Sequence, residues 1–374
     1  MIQTKPDRWM ATAAAGAVVI ALCYGFARYA YGPFVPRFSE TFGLTPVGVG
    51  VLGGLSTAGY GAGLLLAPRT SARSARGTVL LAAVSATLGL GLMALAPHVT
   101  VFGAGIVVAG AGAGLVSPGV AQLVGETVAA RTRARAQTWA NTGTGLGLAA
   151  SAFTPLLALG WPVIWSAFAA LGVAVTVAAW RLLPRSPGVP AASGPVRGVA
   201  PLVVNSVLIG VTSAPYWTFS SSRLAEAGLS PVVATWCWAT IGVAGLLGGL
   251  AGRAAERAGL RPVNLVTWTL AAAGIALLAL PDPGVPFALL SSALFGSTYM
   301  ALTGLCILWA ARLVPERPAR GITWSFAGLG VGQTVASPLA GALAAGVGSA
   351  AVFGLTALLA LTAWGQLHHR LGPP

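Results

Sequence analysis

The 374-residue sequence is short of charge: Asp and Glu total seven, and all charged residues together make up 7%. A soluble chain of this length cannot cover its surface with so few charges, so a water-soluble fold is excluded. The seven acids and three His are not clustered. No metal site or acid–base pair is available, which argues against an integral-membrane enzyme. His98 falls in a predicted outer loop, and His368 and His369 in the tail. The three cysteines, Cys23, Cys237 and Cys306, are far apart and lie inside apolar runs. No disulfide framework or zinc spacing follows from them. Lysine is nearly absent (Lys5 only, against 20 Arg), and the arginines form small groups between apolar runs. A net charge of +14 without a continuous basic face excludes nucleic acid as a partner. Neither cofactor nor metal is expected.

What the chain has in abundance is apolar length: 56% of its residues are hydrophobic. The runs reach about 20 residues or more, enough to cross ~30 Å of hydrocarbon at ~1.5 Å per residue. Helices are predicted near 10–35, 46–67, 77–96, 99–124, 136–158, 161–183, 199–222, 231–251, 262–281, 286–311, 321–345 and 349–367. Lipid leaves no partner for an open strand edge, so only helices fit. The first run follows Lys5 and Arg8, but it is too long for a signal peptide and contains Arg28.

Basic residues then fall on one side. Eighteen of the 21 lie at the N-terminus (Lys5, Arg8), in alternate connections (Arg69, Arg73, Arg76; Arg131, Arg133, Arg135; Arg181, Arg185, Arg197; Arg253, Arg257, Arg261; Arg312, Arg317, Arg320) or at the end (Arg370). Arg37 and Arg223 lie opposite, and Arg28 is inside a span. By the positive-inside rule both termini are cytoplasmic, which needs an even number of spans. Twelve fits.

The chain also repeats itself. Arg135, Thr138, Trp139, Gly143, Gly145 and Gly147 recur 185 residues later as Arg320, Thr323, Trp324, Gly328, Gly330 and Gly332. Gly43-Leu44-Thr45-Pro46-Val47 recurs as Gly228-Leu229-Ser230-Pro231-Val232, and Arg37 and Glu40 as Arg223 and Glu226. The expected organisation is an all-α membrane protein of twelve transmembrane helices in two pseudosymmetric six-helix bundles, 1–183 and 199–374, joined by a cytoplasmic linker at 184–198. Two parallel halves with a site between them describe a transporter architecture. The repeated glycines let helix backbones approach closely, and are expected to be the surfaces on which the halves rock. They are not phosphate loops, because no strand precedes them and no Walker lysine follows.

Gly252-Arg253-Ala254-Ala255-Glu256-Arg257-Ala258-Gly259-Leu260-Arg261 resembles the G-x-x-x-D-R-x-G-x-R loop signature of the major facilitator superfamily, with Glu256 where Asp is usual. The equivalent stretch of the first half, Ala67 to Arg76, has Ser71 in place of the acid. Gly25-Phe26-Ala27-Arg28-Tyr29-Ala30-Tyr31-Gly32-Pro33-Phe34-Val35-Pro36 is similar to the first-helix pattern of the YbfB/YjiJ-type bacterial branch. Tyr216-Trp217-Thr218-Phe219 is similar to that branch's seventh helix. The resemblance covers the whole chain. It implies the MFS fold, alternating access, a small-molecule substrate, a monomer in the lipid bilayer of a bacterial inner (cytoplasmic) membrane, and spans 1, 4, 7 and 10 lining a central cavity. It also implies gating contacts by Glu256, Arg257, Arg253 and Arg261. Glu126, at the inner end of span 4, is placed to pair with a loop arginine. The alternative for all of these is topology alone.

Arg28 is the one charged residue well inside a predicted span. α-Helical spacing puts Tyr24 and Tyr31 on its face. An intramembrane Arg is costly unless it meets protein or water. Arg28 either holds an anionic group by its planar donors, snorkels to the outer interface, or serves as a gate or packing element. Asn205, Thr212, Tyr216 and Ser220 on span 7 and Tyr299 on span 10 are further candidates, each weighed against ordinary helix–helix hydrogen bonding. Gln137, Asn141 and Gln333 carry the same ambiguity. Trp236 and Trp238 read as packing or interface anchors. No Asp, Glu or His lies within a predicted span, and Ile106 stands where drug/proton antiporters tend to carry arginine; both weigh against proton-coupled drug efflux. Two transport readings remain: a carrier of a small organic anion, facilitative or secondary active, and an exporter of a neutral or hydrophobic metabolite or drug. A membrane sensor is a third class, without a soluble signalling domain to support it.

Overall fold

A backbone in hydrocarbon must satisfy its own N–H and C=O groups, and the chain does so with helices. The computed structural model describes residues 9–157, 159–186, 198–315 and 318–364, and among these no strand occurs. Lys5, Arg8, Arg197, Arg317, Arg370, His368, His369 and most of the expected 184–198 linker lie outside the described residues.

In chain order the helices are α1 (Trp9–Ile20), a π-helical segment (Ala21–Tyr29), α2 (Tyr31–Phe42), α3 (Pro46–Arg73), α4 (Ala75–Ala94), α5 (Val99–Thr127) and α6 (Ala130–Ala152). There follow α7 (Trp161–Leu182), α8 (Ala200–Glu226), α9 (Pro231–Gly245), α10 (Leu250–Ala258), α11 (Leu260–Leu277), α12 (Gly284–Leu313), α13 (Pro318–Val347) and α14 (Ser349–Leu361). Ten stretches of the described residues are long and apolar enough to cross a membrane, with Trp9–Phe42 and Pro231–Ala258 each counted as one. The multi-pass reading therefore stands. The other two expected spans differ: α6 is long but polar, opening with Arg131, Arg133 and Arg135, and α14 is only 13 residues.

Several expected boundaries move. Arg69 and Arg73 ride on α3, Arg131 to Arg135 on α6, Arg253 and Arg257 on α10 and Arg312 on α12, so these positions are helical where loops were expected. Arg73, Arg257 and Arg312 stand in the last turns of their helices, where a cation complements the helix dipole. The expected helix 136–158 stops at Ala152, three residues before Pro155, and gives way to a 3₁₀ turn. The expected span 231–251 is broken by a 3₁₀ turn at Leu246–Gly249.

The duplicated sequence forms duplicated local structure. Gly43 and Gly228 adopt φ of 61° and 72°, a left-handed conformation that a Cβ opposes. Each ends a helix the same way: Leu44 N donates to Ser39 O and Leu229 N to Leu224 O, both at 3.0 Å. Thr45 and Ser230 then cap the next helix, accepting from Gly48 N and Val233 N.

The helices gather into two compact units. The first comprises residues 1–30, 59–151 and 160–193; the second comprises 31–58, 152–159 and 194–374. In the first, Gly143 and Gly147 lie on α1 and the π segment: a Cβ on Gly143 would stand 2.1 Å from Ala17 O, and one on Gly147 2.7 Å from Ala21 O. In the second, Cβ atoms on Gly328 and Gly332 would stand 3.0 and 2.3 Å from the carbonyl oxygens of Val203 and Val207 on α8. These glycines thus pack helices within a unit, which corrects their expected role as rocking surfaces.

Within the second unit, α2 and the first half of α3 join the helices of the C-terminal sequence. A Cβ on Gly50 would meet Ser337 O at 2.4 Å, one on Gly54 Thr334 O at 2.9 Å, and one on Gly341 Pro46 O at 2.3 Å. Gly50 and Gly54 form a G-x-x-x-G pair, the spacing that lets two helices touch backbone to backbone. The Thr57 and Thr334 hydroxyls lie 3.0 Å apart across this seam.

Candidate functional site

Arg28 sits near the end of the π-helical segment Ala21–Tyr29. Pro33 and Pro36 have no N–H, so the carbonyls of Tyr29 and Gly32 lose their usual partners and the register loosens. Ala30 N instead donates five residues back to Gly25 O at 2.8 Å. The Ser151 hydroxyl donates to the same oxygen at 3.2 Å. Gly25 is required there, since a Cβ would stand 2.3 Å from the Gly147 carbonyl carbon. π turns of this kind are rare and collect at functional sites.

Arg28 is 7% exposed, so it is enclosed by protein and does not snorkel to an interface. Its guanidinium carbon lies 4.4 Å from the Tyr60 ring centre and 5.3 Å from that of Tyr29. The Tyr24 ring is 6.0 Å from Tyr29 and 6.4 Å from Tyr60. The Ser117 hydroxyl donates to Tyr24 Oη at 3.3 Å. Two tyrosine rings therefore flank the buried cation, and a third, Tyr24, packs near both and is bonded by Ser117 of α5.

The wider register changes which neighbours Arg28 has. Tyr24 pairs with Tyr29, five residues on, while Tyr31 opens α2 and stacks on Phe38 at 5.4 Å, its hydroxyl without a partner among the described residues. Of the expected Tyr24–Arg28–Tyr31 face, Tyr31 falls in the second unit, and the rings measured against the guanidinium are those of Tyr29 and Tyr60. Tyr29, Tyr60 and Ser117 escaped the sequence reading. Tyr60 carried one available signal, a polar-tipped ring in an otherwise small-residue run, but nothing local paired it with Arg28.

The second unit holds the other candidates. Asn205 donates to Cys306 Sγ at 3.4 Å and accepts from Trp268 Nε1 at 3.2 Å. Thr212 bonds back to Leu208 O at 2.8 Å. The Tyr216 hydroxyl lies 2.9 Å from that of Ser291, and its ring stacks on Phe295 at 3.7 Å. These three side chains spend their polar atoms on joining helices or on their own backbone. Ser220 is buried, and its hydroxyl has no hydrogen-bond partner among the described residues. Gln333 Nε2 donates to Ser213 Oγ at 3.1 Å and reaches Tyr299 Oη at 3.5 Å. Half-buried Trp217 stands edge-on to both Tyr299 (5.3 Å) and Phe295 (5.1 Å). Trp238 is buried and donates to Ser221 Oγ, whereas Trp236 is exposed beside Phe153. Gln137 and Asn141 bond to each other on an exposed face of α6.

Asn205→Ala tests this division of labour. It leaves the buried Trp268 N–H unpaired, so a stability loss of about 1–3 kcal/mol is expected, read by thermal unfolding. Ligand affinity is expected to stay as in the wild type.

At the arginine-rich ends, Arg253, Glu256 and Arg257 are exposed on α10, and Gly259 turns the chain into α11 at φ 90°. Arg261 is half-buried on α11. Glu126 accepts from Gln122 Nε2 at 2.8 Å and from the Ser186 hydroxyl. Ser186 also accepts from Ala75 N at 3.2 Å, tying the start of α4 to the same knot. Among the described residues no group of His, Cys, Asp or Glu is placed to hold a metal ion.

Residues 20–367 match the family model described as "Uncharacterised MFS-type transporter YbfB". No curated protein matches the chain in sequence. Among solved structures, a D-xylose–proton symporter superposes with a TM-score of 0.80 at 14% identity, covering 97% of this chain and 98% of its own. A nucleoside transporter gives 0.77 at 13% identity, covering 98% and 100%. A human organic anion transporter gives 0.67 at 14% identity, covering 97% and 100%. At such identities the likeness is one of fold alone.

Proposed function

The chain belongs to the YbfB-type branch of the major facilitator superfamily, and from that premise we propose that it carries a small organic anion across the bacterial cytoplasmic membrane by alternating access. The observation that carries the anion is Arg28, a desolvated guanidinium in the first helix. A carboxylate-bearing solute supplies the complementary charge.

The proposed frame is twelve spans in two six-helix halves, 1–183 and 199–374, with α6 and α14 completing the count and both termini inside. The basic residues support that orientation. It makes the end bearing the Gly43 and Gly228 turns the outer one. The backbone seam between α3 and α13 then joins the two sequence halves at that end, which supports a state sealed toward the outside. Arg253, Glu256, Arg257 and Arg261 are assigned to the inner gate and Glu126 to its bracing. The aromatic set of Trp217, Phe295 and Tyr299 favours a second reading, export of a neutral or hydrophobic solute.

Arg28→Gln separates the two. Losing a charge-assisted hydrogen bond of about 1.5–3 kcal/mol is expected to lower anion transport in proteoliposomes tenfold or more, with folding retained. Unchanged transport would establish the neutral-solute reading instead.

A further inference from the structure

We propose that Arg135 with Trp139 on α6, and Arg320 with Trp324 on α13, form two pseudosymmetric sites that each hold the headgroup of an anionic phospholipid. This goes beyond the transport reading and takes from it only that α6 is a span.

Four observations lead there. The first is the repeat. Arg135 and Trp139 recur 185 residues later as Arg320 and Trp324, and the transport reading uses neither pair. Residues four apart share one helical face and stand about 6 Å apart along the axis. The second is exposure. Trp139 is 58% exposed and Trp324 50%; two turns further on, Leu146 and Val331 are 60% and 59% exposed. Large apolar side chains standing open along one side of a span meet acyl chains. Gln137 and Asn141, two residues to either side of Trp139, put the polar exposed face on the far side of α6. The third is level. The apolar stretch of α13 begins at Arg320 itself. Tryptophan settles at the membrane–water interface. The headgroup layer on each side is about 5–7 Å thick, so a side chain one turn outside the tryptophan reaches the phosphates. The fourth is chemistry. Arg135 is exposed, with its guanidinium carbon 4.8 Å from the Trp9 ring centre. Arg320 is half-buried, and its Nη1 has no hydrogen-bond partner among the described residues. A phosphodiester only accepts, and the guanidinium only donates. The choline of a zwitterionic lipid adds a cation that arginine repels, so a net anionic headgroup is favoured.

The test uses the purified full-length protein in detergent. The probes are phosphatidylglycerol, phosphatidylcholine with the same acyl chains, and inorganic phosphate. Native mass spectrometry counts bound lipids, and thermal stabilisation reports affinity. Two tight phosphatidylglycerol sites are expected, preferred over phosphatidylcholine by about fivefold or more, the worth of one arginine beside an anionic headgroup. Arg135→Gln and Arg320→Gln are each expected to remove one of the two lipids, and the double variant both. Arg135→Lys keeps the charge and is expected to hold its lipid to within about threefold. Arg312→Gln is the control: this arginine is exposed on α12 but has Leu308 one turn inward, so both lipids are expected to remain. Excess inorganic phosphate is expected to displace neither.

Two tight sites that survive the double variant overturn the proposal. A loss in Arg312→Gln as large as in Arg135→Gln also overturns it, in favour of diffuse attraction to a basic surface. Displacement by inorganic phosphate overturns the lipid in favour of a phosphate site. A spin label on Leu146→Cys tests the span separately. Collisions with oxygen are expected to exceed those with a water-soluble nickel chelate; the reverse overturns both the α6 span and its lipid. Anion carriage at Arg28 stands or falls apart from all of these. If Arg320→Gln does not fold, the loss in Arg135→Gln set against Arg312→Gln decides the matter.

Discussion

Oxidising a Thr57→Cys/Thr334→Cys protein is expected to join α3 to α13 by a disulfide and to reduce solute transport to background, with full recovery on reduction. The two native hydroxyl oxygens are 3.0 Å apart, so sulfurs at these positions need only a small approach to reach the ~2.05 Å bond. Both hydroxyls otherwise bond to their own helices, Thr57 to Gly54 O and Thr334 to Gly330 O, so the replacements leave the helix–helix contact in place. The three native cysteines are buried and do not compete. The helices come from opposite sequence halves, and a carrier that alternates must part them once per cycle. Gly50, Gly54 and Gly341 make that seam one of backbone against backbone, a contact that forms or breaks as a whole. Loss of maleimide labelling reports the bond; transport continuing at the wild-type rate with the bond formed would rule out opening at this end.

Gly147→Val is expected to cost about 3 kcal/mol or more, enough to remove most folded protein. The added Cβ would stand 2.7 Å from Ala21 O, and on the other side the Gly25 backbone already abuts Gly147. Neither neighbour is a flexible side chain, so nothing yields cheaply. The repeat partner Gly332→Val meets Val207 O at 2.3 Å and should fail similarly. Gly91→Val is the control: it has open space around it and is expected to change stability by less than about 1 kcal/mol. Melting of detergent-solubilised protein followed by size exclusion measures all three. Wild-type stability in Gly147→Val would show that α6 and the π segment are not in the contact described.

Much of the architecture was written in local pattern. Apolar length marked ten of the spans, and the duplicated Gly-Leu-Thr/Ser-Pro turns were found in sequence and recur as matching helix ends at Gly43 and Gly228. Pattern failed where a helix is polar, as in α6, or where small residues permit a break, as at Leu246–Gly249. It also misjudged the repeated glycines. The spacing showed that close approach was needed but not which helix approaches, and the partners of Gly143 and Gly147 lie more than a hundred residues away.

The site divides the same way. Arg28 stood out because charge in an apolar run is conspicuous. That Asn205 and Tyr216 hydrogen-bond to other helices required knowing that Trp268, Cys306 and Ser291 face them.

The sequence by itself determined the class of molecule, because hydropathy and internal repetition are properties of neighbouring residues. Tertiary structure alone decided the register at Ala21–Tyr29, the placing of the Tyr29 and Tyr60 rings beside the cation, and the partners of the buried hydroxyls. A side chain's role depends on what lies across the gap between helices, and no one-dimensional period encodes that distance.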